Sequence, residues 1–462
     1  MKNYIDLIEQ TFEWPQEEFQ VKNNELIFHG VPLMDIIEKY GTPLKITYLP
    51  KIGANINKAK SLFNAAIKKH NYKGDYIYSY CTKSSHFSFI IEEALKNDVH
   101  LETSSAYDIP IIRKMGEKGL LNKALYVICN GYKRTLYKQY ISELINDGYG
   151  NCIPVLDNLT EIDHYETHVE GPYQVGIRVA ADEEPNFEFY TSRLGIRYRD
   201  ITELYRDKIR PSKKAQLKLL HFFINTGIKD NAYYWSELDR FVSKYCELKK
   251  ECPSLDSIDI GGGFPIKTSL TFEYDYQYIT EQIIENIKGI CDKHQVPTPN
   301  IITEFGSFTV GESGAVLYDV MDQKLQNDKE LWYMINGSFI THLPDSWGLN
   351  QKFVMLAINH WQEAFHKVNI GGLTCDSMDY YNSEAHISEV FLPKIKSKEC
   401  LYIGFFHTGA YQESLGGFGG LQHCLIPAPK HVLIDKDAQG QISTSLFADE
   451  QSSEDMLKIL GY

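Results

Sequence analysis

The sequence predicts an α/β protein, a closed (β/α)8 TIM-type barrel followed by a C-terminal β-domain that also takes N-terminal strands. Three observations carry this. Between about residues 75 and 306, short apolar runs alternate with longer stretches of helical period, the pattern of repeated βα units. Eight such runs can be counted, and eight parallel strands with right-handed crossovers close into a barrel that buries both faces and leaves no edge. After residue 306 the texture changes to strand-like pieces with few long helices.

The eight strand candidates are DYIYSYCTK (75 to 83), VHLETSS (99 to 105), ALYVICNG (124 to 131), CIPVLD (152 to 157), YQVGIRVA (173 to 180), LKLLHFFINTG (217 to 227), SIDIGGG (257 to 263) and NIITEFG (300 to 306). Amphipathic stretches such as FSFIIEEALKN, DIPIIRKMGEKG, TLYKQYISELINDG, YYWSELDRFVSKYCELKKEC and YDYQYITEQIIENIKGICDKH lie between them and read as crossover helices. The segment EEPNFEFYTSRLGIRYRD, after the fifth strand, reads as an active-site loop before any helix. Beyond the barrel, SFTVGESGAVLYDV, LWYMINGSF, VNIGGLTCDS, CLYIGFFHTGAY, KHVLID and ISTSLF form the β-domain, with ELIFHGVPL and LKITYLP from the N-terminus as candidate partners. The expected divisions are residues 1–45 packing with the β-domain, 46–306 as the barrel and 307–462 as the β-domain.

With 462 residues the chain has room for two or three domains. Its 47 Lys and Arg against 61 Asp and Glu leave a net charge of −14, the wrong sign for a surface that neutralises nucleic-acid phosphates or rests on an anionic membrane. No apolar run approaches 18 residues and the first 20 residues lack a signal-like apolar stretch, so neither a membrane span nor secretion is expected. The nine cysteines are dispersed, odd in number and without a C-x-x-C pair, which points to reduced thiols in a cytoplasm, most of them buried.

In such a barrel the chemistry sits at the C-terminal mouth of the strands. The strand ends supply Lys83, Glu102, Asn130, Asp157, Arg178, Asn225 with Thr226, the Gly261, Gly262, Gly263 triplet, and Glu304. Three residues without Cβ after an apolar strand let backbone N–H groups close on a phosphate, although a tight βα turn explains the triplet alone. Lys83, expected to be partly desolvated by Tyr78 and Tyr80, could form an imine with a carbonyl; a snorkelling lysine is the plainer alternative. Glu304 suits a general base, a metal ligand or the partner of a pyridine nitrogen. A covalent anchor, an anion site and a facing carboxylate are together what pyridoxal phosphate needs.

At these residues the chain resembles the fold type III pyridoxal-phosphate decarboxylases, which decarboxylate arginine, ornithine, lysine or diaminopimelate on an alanine-racemase-like barrel plus β-domain. The likeness runs from about Tyr40 to Pro429 through YGTPL, YCTKSSH, LETSSAYDI, IDIGGGFP, TEFGSFTV, LTCDSMDYY and HTGAYQ. It implies that Lys83 holds the cofactor covalently, that Gly261, Gly262, Gly263 and Tyr411 contact its phosphate, and that Glu304 faces its ring nitrogen. Thr226 joins the cofactor set, and Phe223 stands where the family places a stacking histidine. Ser307 replaces an arginine and Asn225 a glycine. Cys375 and Asp376 would reach into the active site of a partner subunit in a homodimer. Cys375 is the candidate proton donor, and Asp376 and Asp379 are the candidate carboxylates for a cationic substrate.

HLPDSWGLNQKF followed by LTCDSMD looks most like the biosynthetic arginine decarboxylases, without room for the inserted helical region of the long bacterial enzymes. Arginine is therefore the expected substrate, with agmatine entering polyamine biosynthesis. Ornithine, lysine and diaminopimelate decarboxylation, or a non-catalytic decarboxylase-like binding protein, are the alternatives. A Schiff-base aldolase would not need the β-domain, and no H-x-H or H-E-x-x-H spacing calls for a metal; nothing in the sequence supports magnesium.

Overall fold

The structure, a computed structural model, describes residues 2–8, 12–181, 192–396 and 399–462. The chain divides into two compact units. One comprises 53–265 and 274–309, the other 1–52, 266–273 and 310–462.

The first unit is a closed barrel of eight parallel strands: β1 (Tyr76–Cys81), β2 (His100–Thr103), β3 (Val127–Cys129), β4 (Cys152–Leu156), β5 (Tyr173–Arg178), β6 (Ala215–His221), β7 (Ser257–Asp259) and β8 (Asn300–Phe305). Seven fall inside the expected apolar runs, and β6 begins at Ala215, two residues before LKLLHFFINTG. Pairing of β8 with β1, Glu304 opposite Ser79, closes the ring. The strands read as continuous apolar runs because both their faces are covered.

The expected crossover helices are present at Ser88–Leu95, Asp108–Glu117, Thr135–Asn146, Ala232–Lys249 and Tyr276–His294. Two of them start where a side chain takes up a free backbone amide: Asn231 accepts from Tyr234 N at 2.8 Å and Asp275 from Tyr278 N at 2.9 Å. Of the loop expected after β5, residues 182–191 lie outside the described residues. From Ser192 onward the chain is held by Gly195 N–H donating to Asp157 Oδ1 at 2.8 Å, and a helix starts at Tyr198.

The second unit is a ten-stranded mixed sheet. Its longest strand, Gly314–Gln326, pairs antiparallel with Leu44–Tyr48, Tyr402–Phe406 and Glu330–Ile335. Leu44–Tyr48 pairs in parallel with Lys430–Lys436, so LKITYLP is a shared strand between C-terminal ones. The other N-terminal candidate, ELIFHGVPL, does not join this sheet. It makes Glu25–Phe28 and Val31–Pro32 of a separate three-stranded meander with Phe19–Lys22, and Leu26 N–H reaches Ile358 O at 2.7 Å. Phe28, Phe19 and Leu26 are all 0% exposed, so apolar side chains anchor the meander.

The barrel interior contains Ile128, Ile153, Val155, Leu219 and Ile302, each at most 1% exposed. Leu219→Ala removes volume that this layer cannot refill, at an expected cost of about 2–5 kcal/mol. A thermal or urea melt of the variant checks it, and an unchanged midpoint contradicts the close packing of that layer.

Candidate active site

Strand register gathers the polar groups of the barrel mouth. Cys81 lies opposite Glu102, and Asp259 opposite both His221 and Ile302, two residues before Glu304. Lys83, in the turn Thr82–Ser84 that follows β1, places Nζ 3.3 Å from Glu102 Oε2. Asn130 Nδ2 donates to Glu102 Oε1 at 3.1 Å and to Glu304 Oε1 at 2.5 Å, bridging the two carboxylates. His221 Nε2 lies 3.2 Å from Glu304 Oε2. The Lys83 side chain is 42% exposed and ion-paired, and the hydroxyls of Tyr78 and Tyr80 are engaged by Thr309 and Ser85 O.

Glu102 and Glu304 are both buried, yet they titrate in opposite directions. Burial raises Glu102, more than Lys83 lowers it. Burial also works to raise Glu304, but the charge and hydrogen bond of His221, with Lys83 behind them, hold it below the usual carboxylate range. Glu304 is thus an anion at the mouth of the barrel.

The glycine triplet is a backbone turn in which a side chain has no room. Gly261 and Gly263 have φ of +69° and +111°, and a Cβ on Gly262 would lie 2.3 Å from Glu304 O. Gly261 N–H donates to Asp259 Oδ1 at 2.8 Å, Glu304 N–H donates to Gly261 O at 2.9 Å, and Ile228 N–H donates to Gly263 O at 2.9 Å. Phe264, stacked on Phe305 with ring centroids 4.5 Å apart, anchors the far side of the turn. Beside it, Thr226 Oγ1 and both polar atoms of the Asn225 amide are buried without a hydrogen-bond partner among the described residues. Orphaned polar atoms next to a Cβ-free cradle are what a bound phosphate would satisfy. The Phe223 ring lies along Gly261, 3.2 Å from where a Cβ there would sit, and is 40% exposed. The residues present therefore fit pyridoxal phosphate.

In the second unit, Cys375 and Asp376 occupy an exposed loop. Cys375 Sγ is 3.7 Å from Cys424 Sγ, and this second sulfur pushes the Cys375 thiol up. Asp376 Oδ1 accepts Met378 N–H at 2.8 Å, and Oδ2 lies 3.9 Å from His423 Nε2. Asp379 is placed differently. It is 4% exposed, and its oxygens accept from Phe339 N and Ile340 N and from Thr374 N and Oγ1. Its carboxylate is consumed in shaping the loop, which leaves Asp376 as the one of the two that solvent reaches. Tyr411, with φ of +67°, begins the short helix Gln412–Gly416.

Residues 54–311 match the family model described as pyridoxal-dependent decarboxylase, pyridoxal binding domain. The chain belongs to the pyridoxal-dependent decarboxylases. Pyridoxal phosphate is its cofactor, and the reaction class is amino-acid decarboxylation. The biosynthetic arginine decarboxylase of Prochlorococcus marinus strain MIT 9215 is 23% identical, covering 91% of this chain and 83% of its own. That alignment runs over 544 positions against 462 residues here, so the relative carries inserted segments that this decarboxylase lacks. Two solved structures share the fold. The biosynthetic arginine decarboxylase of Campylobacter jejuni superposes with a TM-score of 0.81 at 20% identity, covering 97% of this chain and 90% of its own. The diaminopimelate decarboxylase of M. jannaschi superposes with a TM-score of 0.80 at 18% identity, covering 96% and 97%.

Glu102 and Asn130 stand at strand ends in the sequence with no cue to their task, and His221 and Asp259 stand inside strand runs and not among the strand-end residues. The available signal was a charged or imidazole side chain inside an otherwise apolar strand, as in SIDI and LKLLHFF. Gly262→Ala forces the turn away from Glu304, so cofactor affinity is expected to fall at least about tenfold, or about 1.4 kcal/mol. Absorbance titration with pyridoxal phosphate measures it, and unaltered affinity would remove the triplet from the binding site.

Proposed function

We propose that this decarboxylase converts L-arginine and a proton to agmatine and carbon dioxide, as a cytoplasmic homodimer supplying polyamine biosynthesis. The observation that carries the reading is the barrel-mouth network of Lys83, Glu102, Asn130, Glu304 and His221 beside the glycine turn. The arginine assignment is supported by the names of the curated relatives, which align over 91% of this chain. The cytoplasmic placement is supported by nine free cysteines, six of them buried, and by the absence, among described residues, of any helix long and apolar enough to cross a membrane.

In this reading Lys83 would hold the cofactor's aldehyde, the Gly261 to Gly263 turn, through the N–H groups of Gly262 and Gly263, and Thr226 Oγ1 would take its phosphate together with Tyr411, and Phe223 would supply the ring beside it, while the Gly261 N–H stays on Asp259. Bound pyridoxal phosphate supplies an electron sink for the pair left behind when the carboxyl group departs. Glu304, kept anionic by His221 and Asn130, would hold a proton on the ring nitrogen and so keep the sink charged. Cys375, whose thiol stays protonated because its pKa is raised, delivers a proton to the substrate's α-carbon. Asp376 is the carboxylate for the guanidinium.

Cys375 and Asp376 are assigned to the active site of a second copy. The exposed apolar side chains Trp347, Leu349, Leu373, Met378, Leu415 and Leu421 belong to this loop and to the segments bonded to it, a surface suited to dimer formation.

Carbon dioxide release is to be measured on arginine, ornithine, lysine and diaminopimelate. Arginine is expected to give the highest kcat/KM, and turnover confined to another substrate overturns the assignment. Lys83→Ala should abolish both turnover and the visible absorbance of the loaded protein. Glu304→Ala should lower kcat about 10²–10³-fold with little change in KM. Cys375→Ala should raise the share of abortive transamination; identical product ratios would remove it as the donor. Light scattering should give twice the chain mass, and a monomeric active enzyme would refute the shared site.

A further inference from the structure

We propose that Asp259 is a positioning residue that carries a proton, donating as a neutral acid to Glu304 while accepting the Gly261 amide, and so locks the ring-nitrogen carboxylate to the phosphate turn. The inference rests on the assignment of Glu304 and the glycines above. Asp259 is 0% exposed, and its Oδ1 takes Gly261 N–H at 2.8 Å. Its Oδ2 is buried with no hydrogen-bond donor among the described residues, and no cationic side chain there pairs with it.

The polar groups beside Asp259 are Glu304 and His221. One nitrogen of His221 and one oxygen from each carboxyl all lie within 4.8 Å of one another. Glu304 already receives Asn130 on Oε1 and His221 on Oε2, so it is the anion of the pair. Two carboxylates in contact and out of water do not both ionise. Burial first, then the charge and hydrogen bond of Glu304, push the Asp259 carboxyl up. A proton on Oδ2 turns an orphaned acceptor into a donor and closes a ring of three bonds: Asp259 O–H to the Glu304 carboxylate, Glu304 N–H to Gly261 O, and Gly261 N–H to Asp259 Oδ1. The two ends of the cofactor are then held by one rigid unit.

Asparagine reproduces the neutral acid, with an amide donor toward Glu304 and a carbonyl acceptor for Gly261. Asp259→Asn is therefore expected to keep turnover and cofactor affinity within about fivefold, the scale of one neutral hydrogen bond. Asp259→Ala should lose about 10- to 100-fold in both, with a Glu304 anion and a buried amide left unpaired. Near-neutral infrared difference spectra of cofactor-free wild type minus Asp259→Asn should show a carboxylic-acid C=O band. This readout needs neither cofactor nor activity, so it stands apart from the decarboxylase assignment. A carboxylate band in its place, or an Asn variant as damaged as the Ala variant, overturns the proposal. So does one tightly held divalent ion per chain that is lost in Asp259→Asn.

Discussion

Three carboxyl groups, Glu102, Asp259 and Glu304, are buried at the mouth of one barrel, at 0%, 0% and 5% exposure. Removing carboxylates from water costs several kcal/mol each unless partners replace the lost hydration. Lys83 faces Glu102, His221 faces Glu304, and the Asn130 amide spans the two acids, donating to each. The outcome is a division of charge that fits a cofactor with a basic ring nitrogen: Glu304 held anionic, Glu102 raised but ion-paired to the lysine. The remaining features of the first unit serve to keep these groups apart from solvent and in register.

The glycine turn depends on the same arrangement. Its first amide is held by Asp259 and its first carbonyl by the backbone of Glu304, while Phe264 seals it against Phe305. A side chain at Gly262 would meet the Glu304 carbonyl, so close approach of the turn to β8 and the absence of Cβ atoms are one requirement. In the second unit a comparable economy applies to the 374–379 loop. Asp379 is consumed in binding backbone amides, and this shapes the segment that presents Cys375 and Asp376 to solvent.

Most of the fold was legible in the sequence because parallel barrel strands, covered on both faces, leave unbroken apolar runs, and because helices of ten or more residues reveal their period. Short strands of the second unit were less so. Val354–Ala357 and Val390–Pro393 are only four residues long, too few for alternation to register, and ELIFHGVPL carries strand character without any signal of which sheet it enters. The residues at the strand ends were legible for the same topological reason that makes barrel mouths functional. His221 and Asp259 were less so, because a polar side chain inside an apolar strand marks a position without separating a satisfied packing residue from a working one.

The order of elements alone determined the barrel, the lysine after the first strand, the glycine turn after the seventh and the glutamate at the end of the eighth, since local periodicity and steric rules act over a few residues. Only the tertiary structure decided how the acids share charge, that Asp379 belongs to its loop and that Asp259 stands against Glu304. Those outcomes depend on burial and on separations of a few ångströms between residues tens to hundreds of positions apart, quantities that no local pattern encodes.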